Sequence, residues 1–145
     1  MNIEQEIQAK GLTAPRITPA DIQANIASEH YFTAADGASG AYRNGGDVHP
    51  AGGSPGQQTT QALGLLTFCV LVLRNGFTVT GESACASPEN FDAEIGRKIA
   101  RQNAVSKVWP LMGYALRTEL SRPALTEVDA AADVAGTPRP DHPII

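Results

Sequence analysis

The chain has little of what staples a small fold, holds a metal or crosses a membrane. Among its 145 residues are 2 cysteines, 3 histidines and 1 tryptophan. Two cysteines, Cys69 inside the most apolar segment and Cys85 beyond it, do not make a disulfide framework. No Cys/His spacing resembles a zinc site, so neither a metal nor a cofactor is expected. No apolar run approaches the ~20 residues a spanning helix needs, and the opening MNIEQEIQAKG is too acidic and polar for a secretory signal. A cytoplasmic protein without a membrane partner is expected. Positive charge is also scarce, with 11 Lys and Arg against 15 Asp and Glu and a net charge of -4. Such a balance excludes general affinity for nucleic-acid backbones, so any anion site must be local.

What is present divides the chain into four parts: an amino-terminal helical segment (1–32), a glycine-rich insert (33–64), a core (65–120) and a tail (121–145). The insert holds 8 of the 14 glycines and has no hydrophobic period, which predicts a flexible loop. The tail, with Pro123, Pro138, Pro140 and Pro143, is expected to be disordered or loosely attached. In the first part, ITPADIQANIASEHYF predicts a helix with Thr18 as N-cap, Pro19 in its first turn, Asp21 at the third position and Ile17 stapled against Ile22. A shorter helix, with Ile3 and Ile7 in register and Gly11 as its stop, is expected before it.

The core opens with LLTFCVLVLRNGFTVTGES, two β-rich runs flanking Asn75-Gly76, a pair suited to a two-residue hairpin turn. That turn pairs Arg74 with Phe77 and sets Phe68, Val70, Val72, Phe77 and Val79 on one face. Ser87 and Pro88 then start a helix in which Phe91, Ile95, Ile99, Val105 and Trp109 form a stripe able to cover that face, with Pro110 bending or breaking the helix. The expected fold is α+β: an antiparallel hairpin at about 65–83 packed on a long helix at about 88–109, with one or two amino-terminal helices. So few ordered residues make a marginal core, and the Leu71/Leu73 face lacks a cover, so a homo-oligomer is expected.

The strings LRNGFTVTGESACASPENFDAEIGRKIAR and WPLMGYAL, with KGLTAPRITPADI near the start, resemble a family of small tailed-phage and prophage proteins. The family is named for gene forty-nine of coliphage N-four and gene sixty-six of a Shigella phage. The resemblance spans roughly residues 5–32 and 65–120, with 33–64 as an apparent insertion. It implies an accessory protein acting in the infected bacterium and carries no mechanism.

GESACASPEN looks like part of a hydrolase nucleophile elbow around Ser83, but Cys85 stands where the second glycine belongs. The available bases are His30, His49 and His142, all in segments not expected to hold a catalytic geometry, and Glu82 has no second acid. No catalytic residue is therefore assigned. The stronger candidate is GRKIARQNAVSK, where Arg97, Lys98, Arg101 and Lys107 concentrate 4 of 11 basic residues. Arg97 and Arg101 stand one turn apart, a repulsive spacing unless something negative lies between them: a ligand phosphate or a partner's carboxylate. Lys98 and Gln102 fall on the apolar stripe: they could line a cleft completed by Thr78 or Thr80 of a neighbouring subunit, but the structural account, with Lys98 snorkelling and Gln102 capping a strand edge, is slightly favoured. Tyr31, Phe32 and the Tyr42–Arg43 pair could stack on a base, but Tyr31 and Phe32 better suit closing the first helix on the core, and one Tyr–Arg pair in a flexible segment carries little weight. The ligand-binding set is Arg97, Arg101, Lys98, Gln102, Thr78 and Thr80. Two readings follow: capture of a nucleotide-type immune signal, by analogy with small phage proteins that sequester such signals, or a module gripping a host protein through this face or the exposed hairpin edge. A thiol hydrolase using Cys85 ranks last.

Overall fold

A computed structural model of the chain describes residues 2–45, 56–123 and 125–140. Helices α1 (Ile3–Ala9) and α2 (Pro19–Ala24) lead into strand β1 (Ile26–Thr33). Helices α3 (Ala34–Arg43) and α4 (Gln57–Gly64) precede strands β2 (Leu66–Leu73) and β3 (Thr78–Ala84). A 3-10 turn (Pro88–Asn90), the long helix α5 (Ala93–Leu120) and α6 (Glu127–Ala135) complete the order. The strands form one antiparallel sheet, β1-β2-β3, and α5 lies along one of its faces. The α+β architecture expected from the sequence is therefore present, with one strand more.

That extra strand corrects the first helix. The Thr18 capping box forms, with Asp21 N–H donating to Thr18 Oγ1 at 3.2 Å, and Ile22 is buried, but α2 stops at Ala24. The segment from Ile26 ends in Tyr31, Phe32 and Thr33, residues of high strand preference. Pairing with β2 outweighs the helical spacing of Ile22 and Ile26. The 33–64 segment, expected as a loop, carries α3 and α4, which pack on each other. Thr33 and Asp36 form a second reciprocal cap, and Gly37 lies against the Phe32 ring.

The hairpin turns at Asn75-Gly76, but through three residues. Leu73 N–H donates to Phe77 O at 2.8 Å and Gly76 N–H to Leu73 O at 2.9 Å, with Gly76 at φ 88°. A turn closed by a left-handed glycine shifts the pairing by one residue from the predicted Arg74–Phe77 register. Leu71 pairs with Val79 and Val70 with Thr80. Val79 thus joins Cys69, Leu71 and Leu73 on the buried face, and Phe68, Val70 and Val72 lie on the other.

The long helix also turns a different side inward. Its buried residues are Gly96, Ala100, Ala104 and Val108, whereas Ile95, Ile99 and Trp109 are exposed. The predicted cleft between the aromatic hairpin face and the Phe91–Ile95–Ile99 stripe is absent from the single chain. The helix begins later than expected: Asp92 caps it by accepting Ile95 N–H at 3.0 Å, and Ser87 makes no capping bond. It also runs unbroken past Pro110. Ser106 and Pro110 are both exposed, so water can solvate the Ser106 carbonyl that proline leaves without a donor.

Candidate functional site

The polar face of α5 is built around Arg101. Its Nε donates to Glu29 Oε1 at 2.9 Å and its Nη2 to Gln23 Oε1 at 2.6 Å, so α2, β1 and α5 are tied by one guanidinium. Tyr31 Oη donates to the other Glu29 oxygen at 2.8 Å. Glu29 and Tyr31, two residues apart on a strand, share the face turned toward α5, and both side chains close on Arg101. The Arg101 hydrogen bonds hold the Glu29 carboxyl below its usual range. Burial, and then the bond to Glu29, push the Tyr31 hydroxyl upward, and burial does the same to the Cys69 thiol.

The negative group beside the arginine step is thus a carboxylate of the chain itself. Arg101 Nη1 makes no hydrogen bond among the described residues, and Arg97, one turn earlier, is exposed without an ion pair among them. Lys98 is exposed and pairs with Glu94 at 3.3 Å, a surface contact worth at most about 1 kcal/mol. Gln102 is exposed. Thr78 and Thr80 lie on the opposite flank. Lys107 reaches β3 through Glu82 at 3.9 Å and Asn103 donates to Glu82 O at 2.7 Å, whereas Arg101 reaches β1. Within one chain the predicted set therefore divides: Arg97, Lys98, Arg101 and Gln102 share α5, and Thr78 and Thr80 line a shallow groove of 380 Å³ with Phe77, Lys107, Pro110 and Leu111.

The Glu29–Arg101 pair has a pH signature. A carboxyl with a depressed pKa contributes stability above its unfolded value and loses it as pH falls through the folded value. The loss should begin below the usual 4.5. Glu29→Gln is expected to cost about 1 kcal/mol at neutral pH, a figure discounted for partial exposure, and to flatten the acid limb of the stability curve. Urea denaturation across acid pH checks this; an unchanged acid limb would remove Glu29 from the role.

The elbow residues do not converge on a base. Cys85 Sγ donates to Ser87 O at 3.1 Å. Ser83 sits on β3, while His30 is on β1 beyond β2, its Nε2 at 3.0 Å from Ser28 Oγ. His49 and His142 lie outside the described residues. Among the described residues no group of three His, Cys, Asp or Glu could hold a metal, and no helix is long and apolar enough to cross a membrane. Phe32 turns to the open face of the sheet, its ring 5.7 Å from that of Phe68, and Tyr42 and Arg43 are exposed on α3. Glu29, Gln23 and Tyr31 were absent from the predicted set. Read as a strand, SEHYF places Glu29 and Tyr31 on one face, a signal hidden by the helical reading.

These features define a small α+β protein in which one long helix backs a three-stranded antiparallel sheet and carries a local basic cluster on an acidic chain. The chain belongs to the phage protein (N4 Gp49/phage Sf6 gene 66) family, whose model matches residues 17–120, including the 33–64 segment. No curated protein and no solved structure matches it.

Proposed function

We propose that this phage protein is a non-enzymatic accessory factor that acts in the host cytoplasm by binding and sequestering a small anionic ligand of nucleotide type, such as an immune signal. The observation that supports this reading is the Arg97–Arg101 step. Glu29 and Gln23 hold Arg101 by Nε and Nη2 and leave Nη1 without a hydrogen bond among the described residues, one turn from Arg97, which is exposed and has no ion pair among them. A guanidinium already oriented loses little freedom when it meets a phosphate. Lys98 and Gln102 extend the grip along the same helix, and Thr78 and Thr80 would contribute from a neighbouring copy. The assay is thermal unfolding with cyclic mono- and dinucleotides. At a hundredfold excess over Kd, linkage stabilises the fold by about 2.7 kcal/mol, several degrees in Tm. Arg97→Glu should abolish the shift, and denaturation should release the nucleotide unchanged. A shift retained in Arg97→Glu, or a hydrolysed nucleotide, rejects this reading.

One observation favours the alternative, a module that grips a host protein. The bonded pairs Leu73–Phe77 and Leu65–Cys85 fix the alternation along β3, so the backbone N–H and C=O of Thr78 and Thr80 point away from β2. That free edge beside the 380 Å³ groove suits strand addition. Loss of host-protein binding in Thr80→Pro, with no nucleotide response in the parent, would select it.

A further inference from the structure

The exposed side of α5 carries a second pattern, separate from the arginine step. Opposite the buried Gly96–Ala100–Ala104–Val108 stripe, a row runs from Ile95 through Ile99, Gln102, Ser106, Trp109, Gly113 and Leu116 to Leu120, in alternating steps of four and three residues. This is the heptad spacing of a helix seam, sustained over roughly 37 Å of helix at 1.5 Å per residue. Ile95 is 55% exposed, Ile99 41%, Trp109 38% and Leu120 50%. The apolar members Ile95, Ile99, Trp109 and Leu120 lie on the solvent side of the helix without a cover among the described residues, whereas Leu116 is half-buried in a groove with Ile17 and Ala24.

We propose that a second copy of this chain covers it, with the two α5 helices antiparallel about a two-fold axis near Val108. The sequence of the row is complementary to itself in that register. Ile95 meets the partner's Leu120, and Ile99 meets the partner's Leu116. In the middle, where polar or small residues interrupt the row, each opposes a residue of suitable size: Gln102 meets the partner's Gly113, and Ser106 meets the partner's Trp109. Small against large is how helix surfaces interdigitate without voids. Charge agrees with size. On the flank of the seam Lys98 falls beside the partner's Glu119, and the axis repeats the pair. Between these two pairs Val105 falls beside the partner's Met112, each already partly buried against its own core. Among the described residues Lys98 and Glu119 have only exposed ion pairs, to Glu94 and Arg122 at 3.3 and 3.4 Å, which yield readily to a better partner.

The arrangement accounts for Gln102, Ser106 and Gly113 within the row and for Lys98 on its flank. A polar residue on a seam and charges on its flank fix register and orientation. It shares Lys98 and Gln102 with the ligand reading, whose arginine step lies off the seam, with Arg101 turned to Glu29 of β1.

Sedimentation equilibrium of the full chain across micromolar concentrations tests the proposal. The parent should be a dimer. Ile99→Glu, at an exposed position that leaves the fold intact by circular dichroism, should be monomeric. Lys98→Glu should weaken the dimer at least about tenfold, since the axis creates two like-charge contacts. Adding Glu119→Lys should restore it. A monomeric parent, a dimer indifferent to Ile99→Glu, or a Lys98→Glu/Glu119→Lys chain as weak as the single variant would each overturn the proposal. Nucleotide binding is read separately, by the thermal assay with Arg97→Glu at a position off the seam, so failure of the dimer and failure of the ligand reading are distinguishable.

Discussion

Replacing Gly81 by alanine is expected to destabilise the fold by at least about 3 kcal/mol, and by valine to prevent folding. Gly81 lies on the α5 side of β3, opposite the turn of helix between Ala100 and Ala104. A Cβ placed there would collide with the Ala100 carbonyl oxygen and the Ala104 nitrogen and stand 2.9 Å from Ala104 Cα. All three are helix backbone atoms and cannot turn aside as a side chain could. Relief requires α5 to lift off the sheet, which would open contacts among Cys69, Leu71 and Val108, all fully buried. Overpacking ordinarily costs about 1 to 3 kcal/mol, and an obstacle made of backbone places this site at or above that range. Since a small domain has only about 5 to 15 kcal/mol in total, the effect is a large share of stability. Gly40→Ala serves as the control. Nothing lies within 4 Å of the added carbon, and removing a glycine from helix α3 should stabilise by up to about 1 kcal/mol. Urea unfolding followed by circular dichroism compares the two. A Gly81→Ala chain as stable as the parent would mean that the helix does not rest on that residue.

The same close approach explains why the orientation of α5 was illegible in the sequence. Amphipathic analysis looks for large apolar residues, and these form the Ile95–Ile99–Trp109 row. The face that packs is small, Gly96, Ala100, Ala104 and Val108, chosen for proximity rather than for hydrophobic bulk. Local signals fared better. The Thr18–Asp21 capping box, the Asn75-Gly76 turn and the long helix are all present, because each depends on neighbours in sequence. The turn's length was not legible. Asn-Gly serves a two-residue turn, and Gly alone can close a three-residue one. Here Asn75 Oδ1 accepts Phe77 N–H at 2.9 Å and supports the longer form. Strand β1 depends on contacts with β2 some forty residues away, which no local window contains. At the candidate site, Arg97 and Arg101 stood out by charge and spacing. Their organiser Glu29 did not, because its role follows from that long-range strand.

Leu71→Ala should cost about 3 kcal/mol, whereas Val70→Ala, its neighbour in the chain, should cost about 1 kcal/mol or less. Leu71 is 0% exposed between Val79 and the α5 stripe, so deleting its branched end removes buried surface and leaves a cavity that rigid neighbours fill poorly. Val70 points to the other face of the sheet and is half-buried beside His30 and Thr80. Solvent reaches that face, so less is lost on truncation. Valine has the stronger strand preference, so that term works against the expected order, and a larger loss at Leu71 isolates the side of the sheet that α5 covers. The two-residue turn and the aromatic-face packing would reverse the order, with Val70 the costlier site. A matching pair on β3 tests the pairing register separately. Val79, 5% exposed, should be sensitive to alanine and Thr78, on the open face, nearly indifferent. Equal losses at Leu71 and Val70 would mean that both faces are covered, as when a second copy lies on the open side of the sheet rather than on α5.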